Sequence, residues 1–198
     1  PIRTEHRFDS DRLRVNGFIR TQVDAGRQVY IVYPLIDESE KMDLNNLMHG
    51  FESVQRDFPP PKYHVSIVHG KMKAADKDFE MNRFVKGETH IMVATTVIEV
   101  GVNVPNASVM VIENAERFGL SQLHQLRGRV GRGEHPSHCL LLSAGLTETA
   151  QERLNAMTSE LVSALHRHLD ELSVDERCRV IVLTGTGRGF CAGLDLGG

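Results

Sequence analysis

Between residues 11 and 143, short apolar runs rich in β-branched residues alternate with longer stretches in which apolar positions repeat at helical spacing. Gly, Pro or Asn bounds each apolar run, as is typical of buried strands. The runs predict five strands, at residues 28–36, 64–70, 89–96, 107–114 and 137–143. Because buried strands that alternate with helices need crossover connections, the pattern predicts an α/β fold with a doubly wound parallel sheet.

The stretches between these strands predict four amphipathic helices. Ser10 is expected to cap the first helix, three prolines end the second, and Gly87 ends the third. The predicted helices cover residues 11–25, 44–58, 74–86 and 120–127.

The pattern changes after Ser143. Leucines at helical spacing predict a helix over residues 158–172, and the strand "VIVL" and a glycine-rich end follow it. The sequence therefore predicts two units, residues 1–148 and 149–198, with a join between about 144 and 153.

Composition narrows the class of protein. With 198 residues, 40% of them hydrophobic, the chain can bury a core, and its net charge of −3 means that nucleic acid would need a local basic patch. Three widely spaced cysteines argue against a disulfide framework and a zinc site, and favour a cytoplasmic location. The apolar runs are too short to cross a membrane, so no membrane partner is expected.

One basic patch stands out at residues 122–133, "QLHQLRGRVGRG". It places Arg127, Arg129 and Arg132 among three glycines. Glycines let a backbone approach a ligand closely, and arginine forks bind phosphate oxygens in pairs. The stretch therefore indicates a polyphosphate or a nucleic-acid backbone as its target.

Three segments carry a resemblance to a known family: "VYIVYPLIDESE", "VHGKMKAADKD" and "IMVATTVIEVGVNVPNASVMVIENAERFGLSQLHQLRGRVGRGEHPSHCLLLS". Together they resemble the second RecA-like motor domain of the RecG family of superfamily 2 DNA helicases, over about residues 10–143. The resemblance implies a parallel RecA-like sheet flanked by helices. It also implies half of an ATP-driven DNA motor.

In such motors the nucleotide lies between two RecA-like domains, and the second domain contributes arginines that stabilise charge on the γ-phosphate. By resemblance these are Arg129 and Arg132, with Gln125 beside them. Gly101 and Asn103 are expected on the nucleotide side. Many relatives carry aspartate at position 103, and asparagine still accepts a ribose hydroxyl bond but without the charge.

The resemblance assigns DNA phosphate contacts to five residues at the ends of two strands. A threonine that caps a helix, or a histidine that simply lies at the surface, would look the same in the sequence. The residues are His69, Gly70, Lys71, Thr95 and Thr96.

The chain contains no GxxxxGK[ST] phosphate loop. ATP and Mg²⁺ are therefore expected only in the context of the first motor domain of the family, and no cofactor or metal is expected for this chain alone. Asp37 and Glu38 imitate a magnesium-binding pair, but Pro34 interrupts the strand before them, so we expect a solvated loop.

The end of the chain, about residues 152–196, resembles the opening of the crotonase, or enoyl-CoA hydratase and isomerase, family. Its loop "FCAGLDL" implies that the backbone N–H of Leu194 is one of two donors to a thioester carbonyl. The second donor and the carboxylates of that family come from later segments.

These resemblances together predict a chimera: a DNA helicase motor domain joined to a crotonase fragment. The alternatives are a recombined or engineered folding unit without activity, and an acyl-CoA-binding fragment. Weak, phosphate-mediated DNA binding is expected. The tail exposes an apolar helix face that a short fragment cannot cover by itself, which favours a homodimer through the tail.

Overall fold

The computed structural model describes residues 2–35, 40–95, 104–145, 147–157, 166–167 and 169–171. The helix predicted over residues 158–172 and the strand after it lie almost wholly outside these ranges. The described part contains six strands and five α-helices. They are β1 Ile2–Phe8, α1 Arg12–Asp24, β2 Gln28–Tyr33, α2 Glu40–Asp57, β3 Val65–Val68, α3 Ala74–Val85, β4 Ile91–Thr95, β5 Ala107–Ile112, α4 Leu120–Arg127, β6 Ser137–Ser143 and α5 Glu148–Met157.

All six strands run parallel in one sheet, in the order β1-β6-β5-β2-β4-β3. Helices α1 and α2 cover one face, which we call the α1/α2 face; its core includes Ile19, Phe58 and Val111. Helices α3, α4 and α5 cover the opposite face, with Phe84, Leu123 and the rest of a second core. The predicted doubly wound α/β fold is confirmed.

Strand β1 was not predicted. Its sequence is mostly polar, yet it pairs with β6 along its whole length, from Ile2 beside Ser137 to Phe8 beside Ser143. Glu5 forms ion pairs with Arg3, at 2.5 Å, and with Arg7. An edge strand covered on one side can carry charge, so the apolar run that marks a central strand is missing here.

The predicted N-cap at Ser10 is wrong. Ser10 lies in a short 3₁₀ turn, Asp9–Asp11, and α1 begins at Arg12 after Asp11, which makes no side-chain capping bond. Arg12 instead binds across the chain to Glu113, so a tertiary ion pair fixes the start of the helix. Strand β2 also ends three residues earlier than predicted, because Pro34 cannot donate a ladder hydrogen bond.

Helix α5 belongs to the core of the described domain. It contacts α4, β1 and the turn Ala115–Arg117, and it buries Ala150, Leu154 and Met157. The boundary predicted at residue 148 stays a prediction, but it coincides with the start of a helix that packs on the sheet.

Among the described residues, no helix combines the length and the apolar character needed to cross a membrane.

Candidate functional site

Helix α4 positions the arginine segment. Leu123 and Leu126 point into the core, whereas Gln125 is exposed. After the helix, Val130 is buried at 2% exposure and anchors the segment from within. The flanking Arg129 and Arg132 thus extend from a loop that is held at its centre.

Two glycines let this loop lie close to its neighbours. Gly131 adopts φ +82°, and a side chain there would come within 2.7 Å of Ile2. At Gly133, a Cβ atom would lie 2.3 Å from the carbonyl oxygen of Pro105. Because β5 begins at Ala107, the arginine loop lies against the β4–β5 connection at the amino ends of the strands.

Pro105, which Gly133 contacts, follows Asn103 by two residues in the chain. Asn103 is one of the predicted nucleotide-side residues. Asn103 and Gly101 themselves lie outside the described residues, as do Thr96 and Leu194. Their predicted roles stay predictions.

The three arginines lie near different titratable groups. Burial raises the pKa of Tyr30 to about 12, and the positive charges of Arg129 and Arg132 act on it in the opposite direction. Arg132 also donates through Nε to the carbonyl of Gly128, at 3.2 Å. Arg127 instead acts on Cys139, a fully buried thiol whose pKa burial raises to about 12. Arg129 and Arg132 therefore both lie near the phenol of Tyr30, whereas Arg127, which is half-buried, lies near the thiol of Cys139.

The predicted DNA contacts gather at the other edge of the sheet. Val68 of β3 pairs in register with Ala94 of β4, so the next residues, His69 and Thr95, are neighbours at the carboxyl ends of the two strands. The turn after His69 is held by Lys77, whose Nζ donates to the carbonyl of Gly70 at 2.9 Å. Lys71 is exposed in the same turn.

Two polar atoms at this edge are buried without a hydrogen-bond partner in the part of the chain that the structure describes: Nδ1 of His69 and Oγ1 of Thr95. Buried polar atoms are normally satisfied, so an unpartnered pair on adjacent strands calls for an explanation. Burial lowers the pKa of His69, and the charges of Lys77 and Lys71 lower it further. Both effects favour the neutral form of His69 before any ligand binds.

Those predicted residues that the structure describes thus form two groups, at opposite ends of the strands. Sequence reasoning missed a third feature, the ion pair between Arg12 and the buried Glu113, with Nη2 to Oε2 at 2.8 Å. The partners are 101 residues apart, so no local pattern could reveal the pair.

Comparison with known proteins identifies the class. The model of the helicase conserved C-terminal domain matches residues 13–134, more than half of the chain, so the chain belongs to this family. Its parallel sheet with flanking helices is the RecA-like fold of such domains.

Within the family, the chain is similar to the ATP-dependent DNA helicase RecG. It is 48% identical to the RecG of Synechocystis over 157 residues, 79% of this chain and 19% of that protein. The RecG of Bacillus subtilis is 48% identical over 145 residues, 73% of this chain and 21% of that protein. The chain therefore spans about a fifth of the length of these relatives.

A solved structure of RecG bound to a three-way DNA junction matches the fold with a TM-score of 0.65 and 41% identity. The match covers 78% of this chain and 20% of that one. The expected likeness to a RecG-type C-terminal motor domain is confirmed.

A second family model, enoyl-CoA hydratase/isomerase, matches residues 146–197. Because the Synechocystis match covers 79% of a 198-residue chain, it must extend into α5. The two likenesses therefore overlap in α5, the helix that is packed into the motor core.

Proposed function

We propose that this chain acts as the C-terminal motor domain of an ATP-dependent DNA helicase, contributing arginines to ATP hydrolysis and contacts to DNA phosphates. The observation that carries the proposal is the unpartnered pair of buried polar atoms on His69 and Thr95, on the edge opposite the arginine loop. Such a motor needs one site that contacts the nucleotide and another that contacts DNA.

We also propose a cytoplasmic location. It is favoured by a function on DNA and by the free, buried thiol of Cys139.

The arginine loop fits the nucleotide end. At Gly131 and Gly133 the backbone of the loop lies close to Ile2 and Pro105. Arg129 and Arg132 lie on one side of the loop. When bound between two motor domains, ATP with its Mg²⁺ would supply the phosphoryl group whose transfer drives movement. These arginines would stabilise the charge that develops there, with Gln125, Gly101 and Asn103 nearby. By the family resemblance, we expect the magnesium ligands to come from the first motor domain.

The DNA end is tested by fluorescence anisotropy with labelled DNA across a range of salt. Thr95→Val should weaken binding about tenfold at every salt concentration, because it removes a hydrogen bond to a charged group without removing charge. Lys71→Gln should make the log-log salt slope shallower by about 0.9 on duplex DNA, the value for one lost phosphate contact. Thr21→Val, a matched change at an exposed position of α1, should leave the affinity and the salt slope unchanged. Salt-independent binding, or a strong preference for one sequence, would contradict the proposal.

The same assay has an expected pH dependence. The pKa of His69 is lowered in the free protein, and a nearby phosphate would raise it, so binding takes up a proton. Affinity should therefore rise as the pH falls through about 6.5, the ordinary histidine value, and His69→Gln should remove that rise. An unchanged pH profile in His69→Gln would show that the histidine does not face the phosphate.

We further propose that residues from about 152 to 196 are the opening fragment of a crotonase-family protein, which makes the chain a chimera. The enoyl-CoA hydratase/isomerase match from residue 146 supports this. In the proposed chimera Leu194 faces no thioester, so we expect neither acyl-CoA binding nor hydration. Titration with acyl-CoA, nucleotide and DNA separates this proposal from the two alternatives, an acyl-CoA-binding fragment and a folding unit without activity.

A homodimer formed through the tail follows from the same proposal. A leucine-bearing helix and a single strand cannot bury their own apolar face, and a second copy of the chain offers cover. Light scattering should give twice the monomer mass for the full chain and the monomer mass for a chain that ends at Met157. A monomeric full chain with the same melting temperature as the truncated one would make the tail a passenger.

A further inference from the structure

A cavity of about 520 Å³ opens at the carboxyl ends of β2 and β5, between α1 and α2. This volume is typical of sites that hold small organic groups. Its floor is apolar and includes Ile31, Val111 and Phe58. Its described walls carry hydrogen-bonding side chains, among them Asn46, His49, Ser53 and Asn114.

The cavity lies at a topological switch point of the sheet. Strands β2 and β5 are neighbours, but the chain leaves β2 for α2 on the α1/α2 face and leaves β5 for α4 on the opposite face. In open α/β sheets, ligands bind in the crevice that such divergent connections create. Asn114, two residues after the end of β5, has φ +49° and ψ +49°, a left-handed conformation that is uncommon outside glycine and concentrates at functional sites.

The charges in the cavity disfavour an anion. Three carboxylates line it, on Asp9, Asp57 and Glu113, against the guanidinium groups of Arg12 and Arg117. Nη2 of Arg12 already donates to Asp9 and Glu113, each at 2.8 Å. A phosphate would therefore meet more negative than positive charge. A neutral group with donors and acceptors on its edge fits the amide and hydroxyl walls better.

An aromatic side chain lies between the cavity and the proposed DNA edge. The ring of Tyr33, which lines the cavity, packs so closely on Gly50 of α2 that a Cβ there would lie 2.4 Å from the ring. Tyr33 pairs in register with Thr95 of β4. Ile31 and Val93 belong to the core of the α1/α2 face. Because side chains alternate between the two faces along a strand, Tyr33 and Thr95, two residues further on, lie on the same face.

Adjacent strands are about 4.8 Å apart, so the cavity begins one strand away from the unpartnered hydroxyl of Thr95. A nucleotide whose phosphate reaches Thr95 therefore has its base within reach of Tyr33 and the cavity behind it. Unstacked bases are recognised by aromatic stacking and by hydrogen bonds to their edges, and this cavity is lined by an aromatic ring and by amide and hydroxyl side chains.

We propose that this cavity receives one unstacked nucleobase of single-stranded DNA whose backbone contacts Thr95 and His69. The inference rests on the proposed DNA contact and adds a base pocket to it. The chain would then grip a strand by one base as well as by its phosphates.

The test compares two labelled single strands of equal length and charge, one with bases and one abasic throughout, on the full chain by fluorescence anisotropy. The wild type should bind the base-carrying strand about tenfold more tightly, as expected for one stacked base. Ser53→Phe, which fills the cavity, should make the two affinities equal. Asn45→Phe, an exposed change on the same helix that does not line the cavity, should keep the preference.

Each outcome decides between the two proposals. Equal affinities in the wild type would overturn the base pocket and leave the phosphate contacts standing, whereas no binding of either strand would overturn both. A preference that survives in folded Ser53→Phe would also overturn the pocket. If Ser53→Phe does not fold, Asn46→Ala, an exposed wall residue, should lower the preference severalfold, and an unchanged preference there counts against the pocket.

Discussion

Arg132→Ala should lower DNA-stimulated ATP hydrolysis about 10³-fold or more when this chain is combined with the first motor domain of a RecG-type helicase. Arginines that face the γ-phosphate act on charge that develops in the transition state, so their loss affects the rate of hydrolysis. Arg129→Ala should have a comparable effect, since both arginines extend from the same loop. Steady-state phosphate release is the measurement.

Arg14→Ala provides the control, because this arginine is 88% exposed on α1 and far from the arginine loop along the chain. Its hydrolysis rate should match that of the wild type. The chain without the first motor domain should hydrolyse no ATP, because it contains no phosphate loop. Silent Arg129→Ala and Arg132→Ala variants would refute the interpretation of the arginine stretch. Turnover by the chain alone that depends on Asp37 or Glu38 would refute the predicted inactivity.

Leu154→Ala should lower the free energy of unfolding by about 2–5 kcal/mol, because it leaves a cavity where a leucine is 1% exposed. Urea or thermal unfolding measures the change. Asn155→Ala, on the exposed side of the same helix, should change it by about 0.5 kcal/mol or less. A silent Leu154→Ala would mean that α5 does not belong to the motor core and would support the predicted boundary at residue 148.

The interior of the sheet could be predicted from local patterns. Strand β6 and helix α4 have the predicted bounds, and the starts of β2, β5 and α3 are also as predicted. These elements are either buried on both faces or amphipathic, so the spacing of their apolar residues is enough to predict them from the sequence. Edge strand β1 and the start of α1 without a cap at Ser10 could not be predicted, because they depend on pairing with β6 and on the ion pair of Arg12 with Glu113.

The candidate residues were found through a family resemblance, and the structure separates them by position. Arg127 and Arg129 look equivalent in the sequence, but the first lies near the buried thiol of Cys139 and the second near the phenol of Tyr30. His69 and Thr95 are 26 residues apart in the chain and become neighbours only because β3 and β4 pair.

The sequence by itself determined the alternation of buried strands and amphipathic helices, and with it the parallel sheet, because apolar burial follows local periodicity. It also determined which residue types were available to meet phosphate. Only the tertiary structure decided that α5 packs in the motor core and that the unpartnered polar atoms of His69 and Thr95 lie at the same edge of the sheet. It alone placed a cavity beside them, where β2 and β5 send the chain to opposite faces. These features depend on strand order and long-range pairing, which bring together residues that no local pattern connects.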